Sequence, residues 1–159
     1  MGFKTADLCD EHADRLQIAE PVFGDYGGEI SFFGPITTLK AFEDNSLVRK
    51  AVEEKGEGRV LVIDSGGSMR CAMVGDQLAA LAEKNGWAGV IVNGCIRDSA
   101  AIADTEIGCK ALGVHPLKTV KRNEGQRDVT LRFAGVSFVP GHYLYADEDG
   151  LVVSEQPLF

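Results

Sequence analysis

Two apolar segments on either side of one helical stretch constrain the fold of this chain more than any other feature. Residues 59–64, "RVLVID", and residues 88–94, "AGVIVNG", are apolar without alternation, a pattern typical of strands that are covered on both faces. Between them, residues 76–86, "DQLAALAEKNG", repeat leucine and alanine at helical spacing and end at Asn-Gly. Strand, helix and strand in this order predict a βαβ unit and a sheet that is parallel in part.

Further elements are predicted before this unit. Residues from Thr5 to about Ile18 have a helical pattern, with Thr5 as a candidate N-cap. Residues 26–42, "YGGEISFFGPITTLKAF", favour a strand that is bulged or bent at Gly34-Pro35. Residues 44–58, "DNSLVRKAVEEKGEG", begin with capping residues and predict a second helix.

The C-terminal part of the sequence has a different pattern of apolar and turn-forming residues. After a short helical stretch at 99–104, "SAAIAD", the chain contains short apolar runs separated by Gly, Pro and Asp. Residues 133–138, "FAGVSF", and 146–153, "ADEDGLVV", are typical of hairpin connections. We therefore predict a mixed α/β fold in a single domain over residues 1–159, with a parallel βαβ unit first and a β-rich C-terminal half.

Composition narrows the class of protein. The chain is 45% hydrophobic, which is enough for a core, and no apolar run approaches the roughly 20 residues that cross a bilayer. A formal net charge of −8 argues against nucleic acid as a direct partner. The one basic stretch, residues 118–127, is diluted by Glu124 and is interpreted as a solvated loop. No apolar signal segment follows the start, so we expect a cytoplasmic protein with no membrane partner.

The cysteines do not indicate a scaffold. Cys9, Cys71, Cys95 and Cys109 are widely spaced and contain no Cys-x-x-Cys pair, which favours buried free thiols. Cys9 and His12 lie one helical turn apart and are a possible half-site for zinc, but no second pair of ligands is evident in the sequence.

Glycine-containing connections follow both apolar strands. Residues 60–72, "VLVIDSGGSMRCA", match neither of the common phosphate-binding glycine motifs. At residues 74–77, "VGDQ", Gly75 permits close backbone approach, and the start of the next helix offers unpaired N–H groups to a small carboxylate. The alternative is that Asp76 is an ordinary N-cap, worth about 1 kcal/mol.

Arg97 and Asp98 follow the second apolar strand directly. Ligands of parallel sheets bind beyond the carboxyl ends of the strands, where this pair is expected. Arginine offers a planar fork to a carboxylate, and aspartate offers oxygen to Mg²⁺. A cation beside an arginine would suit a reaction that develops negative charge on a 2-keto acid. The alternative is a surface ion pair worth about 0–1 kcal/mol, and the spacing alone does not decide between the two.

Four segments together resemble the RraA-like family. These are "GGSMRCAMVGD" at 66–76, the spacing Asp76-x20-Arg97-Asp98, "IGCKALGVHPLK" at 107–118 and "YLYADEDGLVVSE" at 143–155. The family contains metal-dependent 4-hydroxy-4-methyl-2-oxoglutarate aldolases, which also decarboxylate oxaloacetate, and regulators of ribonuclease activity. The resemblance covers nearly the whole chain.

The resemblance implies a swivelling β/β/α fold and a homotrimer with its active site in a cleft between subunits. It implies that Arg97 contacts a small 2-keto acid and that Asp98 binds Mg²⁺ or Mn²⁺. Asp76 would lie near the water shell of the metal and share the catalytic role with Arg97. The backbone N–H groups of Gly75, Asp76, Gln77 and Leu78 would hold the pyruvyl carboxylate.

The resemblance also leaves two functions in view. The first is a lyase that cleaves 4-hydroxy-4-methyl-2-oxoglutarate by a retro-aldol reaction and decarboxylates oxaloacetate through the same pyruvate enolate. The second is a non-catalytic regulator that binds and inhibits ribonuclease E, for which the acidic surface would suit a basic segment of the partner.

Overall fold

The computed structural model describes residues 2–159, and in this range the chain forms four α-helices and twelve strands. The helices are α1 Thr5–His12, α2 Ser46–Glu53, α3 Asp76–Lys84 and α4 Ser99–Ala103. The first seven strands are β1 Leu16–Ile18, β2 Gly24–Asp25, β3 Phe32–Lys40, β4 Val60–Asp64, β5 Ala72–Val74, β6 Gly89–Ile96 and β7 Gly108–Val114. The remaining strands are β8 Gln126–Arg127, β9 Leu131–Phe133, β10 Val136–Phe138, β11 Tyr143–Asp147 and β12 Gly150–Ser154.

The predicted βαβ unit is confirmed and lies at the centre of the sheet. β4 and β6 pair in parallel from Val60 beside Gly89 to Asp64 beside Asn93, and α3 connects them. β3 and β7 extend this parallel region on its two sides, and β5 pairs in parallel with the end of β6. The carboxyl ends of these strands therefore meet at one edge, which is where the candidate site lies.

The β-rich C-terminal half is also confirmed. β9 and β10 form one hairpin and β11 and β12 form another, at the two places where hairpin connections were predicted. The complete strand order of the main sheet is β1-β12-β11-β3-β4-β6-β7-β2, with β5 on β6 and β8 on β3.

Two clusters of buried side chains divide the molecule into layers. On one face of the parallel strands, Leu61 and Ile63 pack with apolar residues of α2, α3 and α4. On the other face, Val60 and Val62 pack with residues of β9, β10, β11 and β12. The parallel strands are thus covered on both faces, as their uninterrupted apolar runs indicated, and the layers follow a β/β/α order.

The N-terminal segment differs from its prediction. The helix ends at His12, one 3₁₀ turn follows at Ala13–Arg15, and Leu16–Ile18 forms a strand on β12. The N-cap position belongs to Lys4, while the amide and hydroxyl of Thr5 donate to the buried carboxylate of Asp147 at 2.8 and 2.6 Å. Thr5 therefore anchors α1 to the C-terminal hairpin.

The bend predicted at Gly34-Pro35 is instead a change of partner within one continuous strand. Residues Phe32 to Pro35 of β3 pair antiparallel with β11, and Ile36 to Lys40 pair in parallel with β4. A Cβ on Gly34 would lie 2.0 Å from the carbonyl oxygen of Gly58, so the chain needs glycine there because the two backbones are so close.

The four cysteines are free, as predicted. Cys71, Cys95 and Cys109 are buried and Cys9 is half-buried. Burial raises the pKa of Cys109 to about 12, with the nearby Asp25 carboxylate adding to the effect. Among residues 2–159, no helix combines the length and the apolar character that crossing a membrane requires.

Candidate functional site

A cavity of about 190 Å³ opens at the carboxyl ends of β5 and β6. All six residues singled out from the sequence line it, and they are Gly75, Asp76, Gln77, Leu78, Arg97 and Asp98. They come from two places about 20 residues apart, the start of α3 and the turn after β6. The parallel pairing of β5 with β6 brings these two places together, since Val74 lies beside Ile96.

Gly75 allows the two segments to approach each other. A Cβ at this position would lie 2.8 Å from Oδ2 of Asp98 and 3.4 Å from Nε of Arg97. Its backbone is extended, so the need for glycine here is one of space and not of backbone conformation. Gly75 also occupies the N-cap position of α3, which corrects the alternative that Asp76 is the cap: Asp76 is the first helical residue.

Asp98 is held in a specific position by its backbone and by one hydrogen bond. Its φ of 58° and ψ of 42° lie in the left-handed region, which aspartate adopts more readily than most residues other than glycine. The backbone N–H of Asp76 donates to its Oδ2 at 3.1 Å. Among residues 2–159, its Oδ1 receives no hydrogen bond, so this oxygen is available to a ligand.

Arg97 is fixed at its backbone and largely free at its guanidinium group. The backbone N–H of Arg97 donates to the carbonyl of Val74 at 2.9 Å. Within the described residues, its only hydrogen bond from the side chain is a long one of 3.5 Å from Nη1 to the carbonyl of Pro116. Most of its donors are therefore free to bind an anion in the cavity.

The alternative of a simple surface ion pair is weakened by these distances. Nε of Arg97 lies 4.0 Å from Oδ2 of Asp98, at the limit of an ion pair, and both side chains are about 40% exposed. An exposed pair at this distance contributes little to stability. The stronger partner of the Asp98 carboxylate is the amide of Asp76, which leaves Arg97 available for another anion.

The first turn of α3 adds backbone donors. The first N–H groups of a helix have no partner inside it and carry partial positive charge. In α3 the amide of Asp76 is used by Asp98, and Ala79 is the first residue to bond back to the Gly75 carbonyl. The amides of Gln77 and Leu78 remain as donors beside the cavity.

Besides Ala72, four polar or charged lining residues escaped the sequence analysis. Asn45 and Arg49 come from the start of α2, and Lys118 and Lys121 come from the stretch interpreted as a solvated loop. That stretch is mostly exposed, as predicted, but its two lysines face the same cavity as Arg97. The only sequence signal was a concentration of basic residues in an acidic chain.

The carboxylates of the cavity suit a divalent cation that keeps most of its water. Mg²⁺ and Mn²⁺ prefer oxygen ligands, and Mg²⁺ is commonly held by one or two carboxylates with water or substrate completing the shell. Asp98 supplies an oxygen that has no hydrogen-bond partner within residues 2–159, and Asp76 lines the same cavity. Among residues 2–159, no group of three or more His, Cys, Asp and Glu side chains is arranged to hold a metal ion. Cys9 and His12 therefore belong to no such group.

These features define a mixed α/β protein with a cationic cleft at the carboxyl ends of its parallel strands. Residues 5–153 match the RraA-like family, described as Aldolase/RraA, and the chain belongs to this family.

Individual relatives extend the comparison over the full chain. A protein of Aromatoleum aromaticum provisionally named 4-hydroxy-4-methyl-2-oxoglutarate aldolase is 62% identical over 158 residues, which is 99% of each chain. Further relatives that are 54–60% identical carry the same name.

Two solved structures share the fold, each with a TM-score of 0.96. One is described as an S-adenosylmethionine:2-dimethylmenaquinone methyltransferase from Geobacillus kaustophilus; it is 52% identical, and the match covers 98% of this chain and 97% of that one. The other is the RNA-processing inhibitor RraA from Thermus thermophilis, 43% identical over 100% of this chain and 96% of that one.

Proposed function

We propose that this protein is a divalent-metal-dependent lyase that cleaves 4-hydroxy-4-methyl-2-oxoglutarate into two molecules of pyruvate. One observation carries the proposal: Arg97, Asp98 and the first turn of α3 line a single small cavity in a chain that is 62% identical to a relative bearing this name. A volume of about 190 Å³ suits a small keto acid.

The keto acid end of the substrate would bind between Arg97 and α3. The guanidinium fork of Arg97 donates to the 2-keto acid, and the amides of Gln77 and Leu78 donate to its carboxylate. These donors are in place before the substrate arrives, so they stabilise negative charge that develops during the reaction without having to reorganise.

Asp98 would be the direct protein ligand of Mg²⁺ or Mn²⁺, with Asp76 beside the water shell. When bound there, the cation supplies Lewis-acid polarisation of the 2-keto oxygen. Asp76 would accept a proton through a water molecule, since this residue lines the cavity and its backbone amide holds Asp98.

The bond changes follow from the structure of the substrate. The C4 hydroxyl loses its proton, the C3–C4 bond breaks, and C4 becomes the ketone carbon of one pyruvate. The electron pair of the broken bond forms the enolate of the second pyruvate, which Arg97 stabilises until C3 is protonated. Oxaloacetate would form the same enolate by losing CO₂, so we propose decarboxylation as a second activity of this site.

A homotrimer with the cavity between subunits is part of the proposal. Val114, Leu117 and Val120 are exposed apolar residues, and the segments that carry them border the cavity. A neighbouring subunit would cover such surface. Sedimentation equilibrium tests this, and a monomer at micromolar concentration would refute it.

We propose that the trimer acts in the cytoplasm, where the four free cysteines would stay reduced.

Pyruvate release tests the activity. The purified chain is incubated with Mg²⁺ and either 4-hydroxy-4-methyl-2-oxoglutarate or oxaloacetate, and pyruvate is followed with lactate dehydrogenase. We expect pyruvate to be released faster than with the metal alone. A chelator should abolish this release. Release at the metal-only rate from both substrates would refute the proposal.

A second candidate function rests on the likeness to the RNA-processing inhibitor RraA of Thermus thermophilis. In this case the chain would bind ribonuclease E and reduce its activity, and its net charge of −8 would favour a basic segment of the enzyme. Biolayer interferometry with ribonuclease E, repeated at rising salt, tests it. Absence of binding at low ionic strength would refute it, and the two functions are not exclusive.

A further inference from the structure

Asp44 is a buried carboxylate that the proposed chemistry does not use. The residue is 1% exposed and lies just before α2. A charge buried in this way is costly unless hydrogen bonds compensate it. Asp44 has four: Oδ1 accepts from the amide and hydroxyl of Ser46 at 2.9 and 2.6 Å, and Oδ2 accepts from the amides of Arg122 and Glu124 at 2.8 and 3.1 Å.

Half of these hydrogen bonds hold a segment that is distant in sequence. Residues 118–124, called the basic arm below, contain no helix and no strand, and their one ladder contact is an isolated bridge between Lys118 and Ala72. The amides of such a segment need acceptors from elsewhere. Asp44 supplies them to Arg122 and Glu124, 78 and 80 residues further along the chain.

The two residues after Asp44 hold the same arm. The hydroxyl of Thr119 accepts from the amide of Asn45 at 3.2 Å and donates to its side-chain oxygen at 2.8 Å. The hydroxyl of Ser46 accepts from the amide of Asn123 at 3.3 Å. Asn45 also donates to the carbonyl of Met73 at 3.1 Å, which ties the assembly to β5 beside the cavity.

The arm brings two cations to the cavity that the keto acid does not require. Lys118 and Lys121 line it together with Arg49, in addition to Arg97. Arg97 and the amides of α3 suffice for one carboxylate. The cavity then has four cationic side chains against the two carboxylates of Asp76 and Asp98, and this excess of positive charge favours a ligand with a second anionic group.

We propose that Asp44 is a positioning residue, which fixes the basic arm so that Lys118 and Lys121 recognise the carboxylate at the far end of the substrate. This inference rests on the proposed function, because it assigns the second end of the same substrate. Asp44 itself touches no substrate and acts only through the lysines.

The test compares Asp44→Asn with wild type on 4-hydroxy-4-methyl-2-oxoglutarate. An asparagine keeps the size of the side chain but removes the charge and directs an N–H donor at the arm. We expect KM to rise on the order of tenfold, the effect of losing roughly one charged contact, while kcat changes less than about threefold. Inhibition by pyruvate, which occupies only the Arg97 end, should keep its Ki within about twofold.

Asp64→Asn is the matched control. Asp64 also holds a loop after a parallel strand, since its Oδ1 accepts from the amide of Gly66 and the side chain of Asn93, both at 2.9 Å. It neither lines the cavity nor contacts the basic arm. We expect KM for the same substrate to remain at the wild-type value.

A double-mutant cycle separates positioning from general stability. In a Lys118→Ala/Lys121→Ala background, Asp44→Asn should raise KM no further, because the groups through which it acts are gone. A further tenfold rise in that background, or an unchanged KM in the single variant, would overturn the inference.

If Asp44→Asn does not fold, Thr119→Val is the alternative variant, because it releases the basic arm at its other anchor. We expect it to raise KM in the same way, and an unchanged KM would also overturn the inference. A wild-type chain that releases no pyruvate would instead refute the proposed function.

Discussion

The backbone N–H of Asp76 donates a 3.1 Å hydrogen bond to Oδ2 of Asp98, and this bond joins the first residue of α3 to the residue before α4. It fixes one oxygen of the carboxylate and leaves the other without a partner among residues 2–159. It also separates the roles of the neighbouring charges, because Asp98 is bonded to a backbone amide while Arg97 lies 4.0 Å away, at the limit of an ion pair.

Replacement of Asp98 by alanine should abolish metal-dependent turnover. The substitution removes the oxygen that we assign to the cation, and it leaves Asp76 without the acceptor of its amide. We expect Mn²⁺ binding, followed by electron paramagnetic resonance, to be lost together with pyruvate release. Asp104→Asn, at the other end of α4, is the control and should retain both. Undiminished Mn²⁺ binding in Asp98→Ala would contradict the assignment.

Replacement of Arg97 by lysine should weaken substrate binding more than it weakens folding. Lysine keeps the charge but loses the planar fork, and the wild-type side chain makes only the 3.5 Å bond to the Pro116 carbonyl within the described residues. We expect kcat/KM to fall on the order of 10- to 100-fold, the loss of one bidentate contact to a carboxylate. The melting temperature should remain unchanged. A normal kcat/KM would show that Arg97 does not hold the substrate.

Replacement of Gly75 by alanine should reduce activity through the position of Asp98. The new Cβ would lie 2.8 Å from Oδ2 of Asp98, so the carboxylate has to move away. Because the backbone of Gly75 is extended, alanine causes no conformational strain, and the chain should still fold. Gly150→Ala, where a Cβ would meet nothing within 4 Å, is the matched control for activity and stability. Equal activity of the two variants would contradict the packing argument.

The stability of the chain should depend on Asp44 at acid pH. Burial alone would raise the pKa of this carboxyl, but the hydrogen bonds from Ser46, Glu124 and Arg122 outweigh it and lower the pKa to about 2. The folded state then binds fewer protons than the unfolded state, in which the pKa is about 4. The contribution, on the order of 2 kcal/mol, is complete above pH about 4 and is lost as the pH falls toward 2.

Urea unfolding as a function of pH measures this contribution. In Asp44→Asn the free energy of unfolding should be lower at neutral pH and should fall less steeply between pH about 4 and 2 than in wild type. The same slope in both proteins would show that the carboxyl is not responsible. Thr5→Ala gives a comparison, because it loosens Asp147, whose pKa is also lowered by hydrogen bonds against the effect of burial.

Local patterns in the sequence were sufficient for the central sheet. The apolar runs of β4 and β6 reflect burial on both faces, and their parallel pairing places the residues that follow them at one edge. That is why Arg97 and Asp98 could be assigned to the rim before any contact was known.

Contacts over long distances in the chain explain the rest. Residues 16–18 continue a helical pattern but form a strand, because β12 offers them a ladder 134 to 138 residues further on. The stretch around Lys121 has no periodicity of its own, and its position depends on hydrogen bonds to Asp44 and Asn45. Neither relationship leaves a local signal that sequence analysis could have used.

Pyruvate formation from 4-hydroxy-4-methyl-2-oxoglutarate in the presence of Mg²⁺, measured in parallel for wild type and Asp98→Ala, decides whether the chain is a lyase that depends on a metal at Asp98. The proposed lyase reaction predicts two pyruvates for each substrate molecule with the wild-type chain, and only the metal-only rate with the variant. Equal rates in the two proteins, whether at the metal-only level or above it, would contradict it.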